Sequence, residues 1–215
     1  MTVTLDAQAV LWSAPSDERA GRPLLVVMHG RGSDERDLFA LAPALPTEFA
    51  IASVRAPLSE GAGWSWWESG AQPGEMAASA VDDAADAVLA WLDDLELESP
   101  LVGTLGFSQG GAMSVHLMRR DPDRFAFAVN LAGFVIAGHQ AGDAALAERR
   151  PPVFWGRGAD DPLFLGPMAR LVAQTEPWLA DHASADVRVY PGLGHSVSPE
   201  ELDDVVAFLR AQPTQ

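Results

Sequence analysis

"LGFSQGGAM", residues 105–113, sets one serine among three glycines at the end of an apolar run. Gly106-Phe107-Ser108-Gln109-Gly110 fits G-x-S-x-G, the pattern of a nucleophile exposed on a tight turn from strand to helix. Such a turn strains the serine backbone and presses neighbouring chain against it. Side chains two positions to either side would collide, so glycine fits at both. The turn also sets Ser108 at a helix N-terminus, where unpaired N–H groups and the dipole favour developing negative charge. "QGGAMSVHLMRR" (109–120) reads as that helix and closes on two arginines, which suit a helix C-terminus.

Outward from this turn, strand-like runs alternate with amphipathic stretches. "LVGTLGF" (101–107) leads into Ser108, and "PLLVVMH" (23–29), "FAIASV" (49–54), "FAFAVNLA" (125–132), "PVFWG" (152–156) and "DVRVYP" (186–191) are the other strands. "EMAASAVDDAADAVLAWLDDLEL" (75–97) is the clearest helix, with Val81, Ala84, Val88, Trp91 and Leu95 on one stripe and aspartates opposite. "DERDLFALAPAL" predicts a short helix that Pro43 ends or bends. Further helices are expected over 165–181 and 198–212, the last opened by a capping box of Ser198 and Glu201. Near-continuous apolar strands between helices imply a mostly parallel sheet covered on both faces. With 215 residues and no repeat or linker, one domain over 1–215 is expected.

Chemistry in such sheets gathers at the carboxyl ends of the strands. Ser108, an acid in "GRGADDPLF" (156–164) and His195 in "GLGHS" (192–196) all fall there. Serine, then acid, then histidine is the order of an α/β-hydrolase triad. His195 sits in a glycine loop between a strand and a capped helix, suited to reach across the edge as a base. His116 lies mid-helix, His139 in an irregular segment and His182 at a helix end. Asp160 and Asp161 both remain open as the acid, with Asp161 favoured because Pro162 biases it towards an extended conformation. "MHGRGSDERDL" (28–38) ends a strand in His-Gly, as does the loop that supplies a second oxyanion donor. The donors are accordingly the backbone N–H groups of Arg31 and Gln109. His29 is read as a ring bonded to loop backbone, and Arg31→Ala as milder than Ser108→Ala.

Composition removes other chemistries. There is no cysteine, hence no disulfide, thiol nucleophile or thiolate-bound metal. All 14 basic residues are arginine, which removes Schiff-base lysines and the Walker lysine. A net charge of −16 disfavours nucleic acid and anionic membrane surfaces. No stretch approaches the roughly 20 apolar residues of a membrane span, and the first ten residues show no signal peptide, so a cytoplasmic location is expected.

Taken together, "HGRGSDERDL", "GFSQGGAMS", "GADDPL" and "GLGHSVSPEELDDVVAFL" resemble the phospholipase/carboxylesterase family of α/β-hydrolases across residues 20 to 210. That family includes acyl-protein thioesterases and bacterial carboxylesterases. The resemblance implies a single α/β-hydrolase domain with a Ser108, Asp161, His195 triad, Asp161 being the aspartate directly before Pro-Leu. It also implies oxyanion amides at Arg31 and Gln109, and a cofactor-free carboxylesterase that forms an acyl-enzyme on short- to medium-chain acyl esters. Acyl-protein thioesterase and lysophospholipase activities are the alternatives on the same scaffold, and a non-catalytic binding module is the alternative of another class. "GWSWWESG" (63–70) resembles the family's segment near the acyl site but is richer in tryptophan, so Trp66 and Trp67 are either walls of the substrate pocket or packing for a long loop. Leu165 stands where family members often have proline. The expected partner is a small ester or thioester, the expected state a monomer or homodimer.

Overall fold

Leu24–Met28 form a wholly buried strand in the interior of the sheet in the computed structural model, which describes residues 3–68, 70, 76–95 and 101–213. In chain order the strands are β1 (Leu11–Trp12), β2 (Leu24–Met28), β3 (Ala50–Val54), β4 (Leu58–Glu60), β5 (Gly63–Ser65), β6 (Val102–Phe107), β7 (Phe125–Leu131), β8 (Pro152–Gly158) and β9 (Ser184–Tyr190). The helices are α1 (Ala78–Asp93), α2 (Gln109–Arg120), α3 (Asp143–Arg149), α4 (Pro162–Leu165), α5 (Ala169–His182) and α6 (Pro199–Arg210). One sheet runs in the order β1-β3-β2-β6-β7-β8-β9 and is parallel except for β1, which pairs antiparallel with β3.

The apolar run of β2 has a simple cause. Leu24, Val26 and Met28 point into one core, with Val81, Ala84, Val88 and Trp91 of α1. Leu25 and Val27 point into the other, with Val205 and Leu209 of α6. Both faces are covered, so neither parity of the strand tolerates polar residues.

Differences from the sequence reading are local. Helix α1 stops at Asp93, so Leu95 packs on the core from beyond the helix, and residues 75, 96 and 97 lie outside the described residues. The helix at Leu38–Ala44 is a 3-10 helix with Pro43 inside it, one residue before its end. The helix expected over 165–181 is α5, which starts only at Ala169 and accommodates Pro177, while Leu165 ends the short α4. The β4–β5 hairpin, β1 and α3 had no counterpart in the sequence reading. Among the described residues no helix is long and apolar enough to cross a membrane.

Candidate active site

The exits of β6, β8 and β9 carry the site, with β7 lying between β6 and β8. Ser108 follows β6 and is the N-cap of α2, with φ 55° and ψ −114°. Its N–H donates to the Leu131 carbonyl at 2.8 Å and its own carbonyl accepts from Ala112 N at 3.0 Å, which locks the strained turn. A side chain at Gly106 would run into the Gly110 carbonyl, and one at Gly110 into the Met28 carbonyl. The two glycines are therefore a steric requirement of the turn.

Asp161 leaves β8 fully buried, and its Oδ1 accepts the Leu163 N–H at 2.9 Å as the cap of α4. Its other oxygen, Oδ2, lies 2.6 Å from His195 Nδ1. His195 Nε2 lies 3.0 Å from Ser108 Oγ. A carboxylate only accepts, so Nδ1 carries the hydrogen and Nε2 is left to accept from the serine hydroxyl. The imidazole is held between Phe107, 4.9 Å away between ring centres, and Phe164, 6.1 Å away edge-on. Asp160 faces solvent, its N–H bonded to the Leu193 carbonyl.

The Gln109 N–H is the first of α2 and has no acceptor within the helix. Arg31 follows β2 with its side chain turned outward onto Glu60, Nε to Oε1 at 2.7 Å. His29 is a buried structural ring. Its Nδ1 lies 2.7 Å from the Gly30 carbonyl and its Nε2 accepts from Ala56 N at 3.1 Å. Burial pushes its pKa down, which keeps it neutral. Among the described residues no three His, Asp or Glu side chains cluster to hold a metal ion.

Trp66 and Trp67 are 0% and 2% exposed and belong to the core. Trp66 Nε1 donates to the His29 carbonyl at 2.9 Å, and Trp67 packs edge-on against Phe134. Of the two roles open from sequence, their burial accords with packing the loop onto the domain. What the sequence did not reveal is the link to the serine turn. Gln109 Oε1 accepts the Trp66 N–H at 3.0 Å and its Nε2 donates to the Trp67 carbonyl at 3.2 Å.

A model of the Phospholipase/Carboxylesterase family matches residues 13–212. The chain belongs to the phospholipase/carboxylesterase family. An Acyl-protein thioesterase 1 of Gibberella zeae is 36% identical over 112 residues, 50% of this chain and 46% of that protein. The match thus spans about half the length of that curated family relative. In fold, the phospholipase/carboxylesterase chain is similar to esterase PE8, with a TM-score of 0.76, 25% identity and coverage of 99% of this chain and 100% of that one. A carboxylesterase from Mesorhizobium loti has the same fold, with a TM-score of 0.76 at 20% identity over 98% of this chain and 100% of that one.

Proposed function

We propose that the protein is a serine carboxylesterase that cleaves short- to medium-chain acyl esters through a covalent acyl-enzyme. The observation that carries this reading is the line from Ser108 Oγ to His195 Nε2 at 3.0 Å and from His195 Nδ1 to Asp161 Oδ2 at 2.6 Å. His195 takes the proton as Ser108 attacks the ester carbonyl. Asp161 holds the imidazole in the productive tautomer and stabilises its charged form. The amides of Arg31 and Gln109 stabilise the oxyanion, His195 returns the proton to the leaving alcohol, and water then resolves the acyl-enzyme. The chemistry requires no metal or organic cofactor.

The preference for shorter chains rests on the segment next to Gln109. Three hydrogen bonds hold Trp66 and Trp67 there, which favours a short acyl site over one that must open for a long chain. Each methylene that fails to be buried forfeits about 0.8 kcal/mol. The name of the Gibberella zeae relative supports thioester cleavage as the second reading. A series of p-nitrophenyl esters of increasing chain length, run beside an acyl-CoA, tests both. A rate optimum at short to medium chains is expected; an optimum at long chains, or a clear thioester preference, overturns the choice of substrate. Failure of a fluorophosphonate to label Ser108 overturns the enzyme reading itself and leaves a binding module.

A further inference from the structure

Among the described residues, the large apolar side chains left exposed are Leu165, Val187 and Val189. Two of them lie on β9, the last strand of the sheet, which pairs with β8 on one side only. An open edge is a template for further strand pairing, and proteins usually blunt it with like charges, proline or a bulge. β9 has neither proline nor bulge, and its two charges, Asp186 and Arg188, are opposite in sign. It runs in unbroken register from Pro152↔Ser184 to Gly158↔Tyr190.

The direction of its free backbone groups follows from the β8 ladder. Ser184 N–H donates to the Pro151 carbonyl at 3.0 Å, and the Tyr190 carbonyl accepts from Ala159 N at 2.9 Å. Residues 184, 186, 188 and 190 therefore bond towards β8, and residues 185, 187 and 189 present N–H and C=O groups to the open side. Asp186 and Arg188 share the opposite parity and one face, with Arg188 Nε 2.7 Å from Asp186 Oδ1. Both side chains are substantially exposed, 40% and 49%.

We propose that two copies of this chain dimerise by antiparallel pairing of their β9 strands about a two-fold axis at Val187. That register uses every outward amide: Val187 pairs with its own copy, and Ala185 pairs with Val189 in both directions. All three are hydrogen-bonded pairs. The intervening narrow pairs then set Asp186 against Arg188 of the second copy, twice, on the same face. The strand is thus complementary to itself in charge as well as in hydrogen bonding. On the other face Val187 meets Val187 of the second copy, and Val189 meets its Ala185. Because the strands run antiparallel, the carboxyl edges of the two sheets point in opposite directions, so both Ser108 sites stay open.

The register dictates the test. Sedimentation at about 0.15 M salt, where a Debye length of about 8 Å screens the −16 charge on each copy, measures the dimer constant. Wild type is expected to dimerise. Asp186→Arg alone and Arg188→Asp alone each set like charges opposite one another and should weaken the dimer at least about tenfold. An equimolar mixture of the two single variants restores both opposite-charge pairs and should form the heterodimer, and the double variant should regain the homodimer. Far-UV circular dichroism and thermal melting establish that each variant is folded. Amide exchange in 185–189 should slow with rising wild-type concentration. A wild type that stays monomeric to about 100 μM overturns the proposal. So does a dimer unmoved by the single reversals, or a mixture that fails to rescue.

Discussion

Gln109 clamps Trp66 to the serine turn: its Oε1 takes the Trp66 N–H at 3.0 Å, and its Nε2 serves the neighbouring Trp67 carbonyl at 3.2 Å. One buried side chain, on the residue directly after Ser108, satisfies two buried backbone groups of a loop 42–43 positions away. Gln109→Ala strands both, and unfolding stability should drop by about 1–3 kcal/mol. Gln109→Glu keeps the acceptor for Trp66 but turns a second oxygen towards the Trp67 carbonyl, so it should be no better. Urea denaturation of the three proteins checks this; equal midpoints would mean that the loop does not depend on the clamp.

The strained backbone of Ser108 separates activity from stability. With φ 55° and ψ −114° it sits where L-residues are disfavoured, at a cost of about 1–3 kcal/mol. Ser108→Gly should abolish turnover and raise the melting temperature, because glycine relaxes this conformation and its own entropic cost is about 0.5–1 kcal/mol. Ser108→Ala keeps the strain, so its melting temperature should stay near wild type. Its kcat on a p-nitrophenyl ester should fall by on the order of 10⁴ to 10⁶. A Ser108→Ala protein with near-wild-type turnover would end the nucleophile assignment.

These two positions also mark the boundary of what the sequence makes legible. The turn around Ser108 is specified locally: Gly106 and Gly110 answer to backbone within a few residues and to β2 alongside. Asp161 and His195 are readable because each follows a strand, and the structure brings both within hydrogen-bonding distance along one line. Burial of Trp66 and Trp67 is set instead by Gln109 and His29, distant partners that no periodicity encodes. α3 is hidden for a similar reason. Its seven residues follow an irregular glycine-rich stretch, and its first residue, Asp143, is anchored from another helix by Arg119. The exposure of β9 is illegible in "DVRVYP", since a strand pattern does not say which strand ends the sheet.

That anchor gives a prediction of its own. Arg119 is 1% exposed and donates to both Asp143 oxygens, 2.7 Å from Nε and 2.9 Å from Nη2, and to the Ile136 and Gly138 carbonyls at 2.6 and 2.5 Å. Asp143→Ala leaves a buried guanidinium without its counter-charge and should cost about 3–5 kcal/mol. Replacing the pair together, as Arg119→Met with Asp143→Ala, should cost less than Asp143→Ala alone, because no charge is then stranded. A double-mutant cycle by chemical denaturation reads the difference directly; additive losses would show that the two residues act independently.

Glu201 couples stability to pH. It stands in the first turn of α6, 1% exposed, against Gly156 of β8, and neither carboxylate oxygen has a hydrogen-bond partner among the described residues. Burial pushes its pKa up from 4.5 to about 7; the nearby Ser198 backbone opposes this, and the nearby Asp204 adds to it. The folded protein therefore binds a proton that the unfolded chain has released across the window from about 4.5 to about 7. Stability falls as pH rises through that window and levels off above it, a loss on the order of 3 kcal/mol from this one group. Glu201→Gln has the shape of the protonated acid but cannot ionise. It should match wild type at about pH 5 and exceed it at about pH 8 by up to that amount. Denaturation curves for both proteins at the two pH values decide the matter: a Gln variant with no pH-dependent advantage would mean that Glu201 ionises in the folded state as readily as in the unfolded chain.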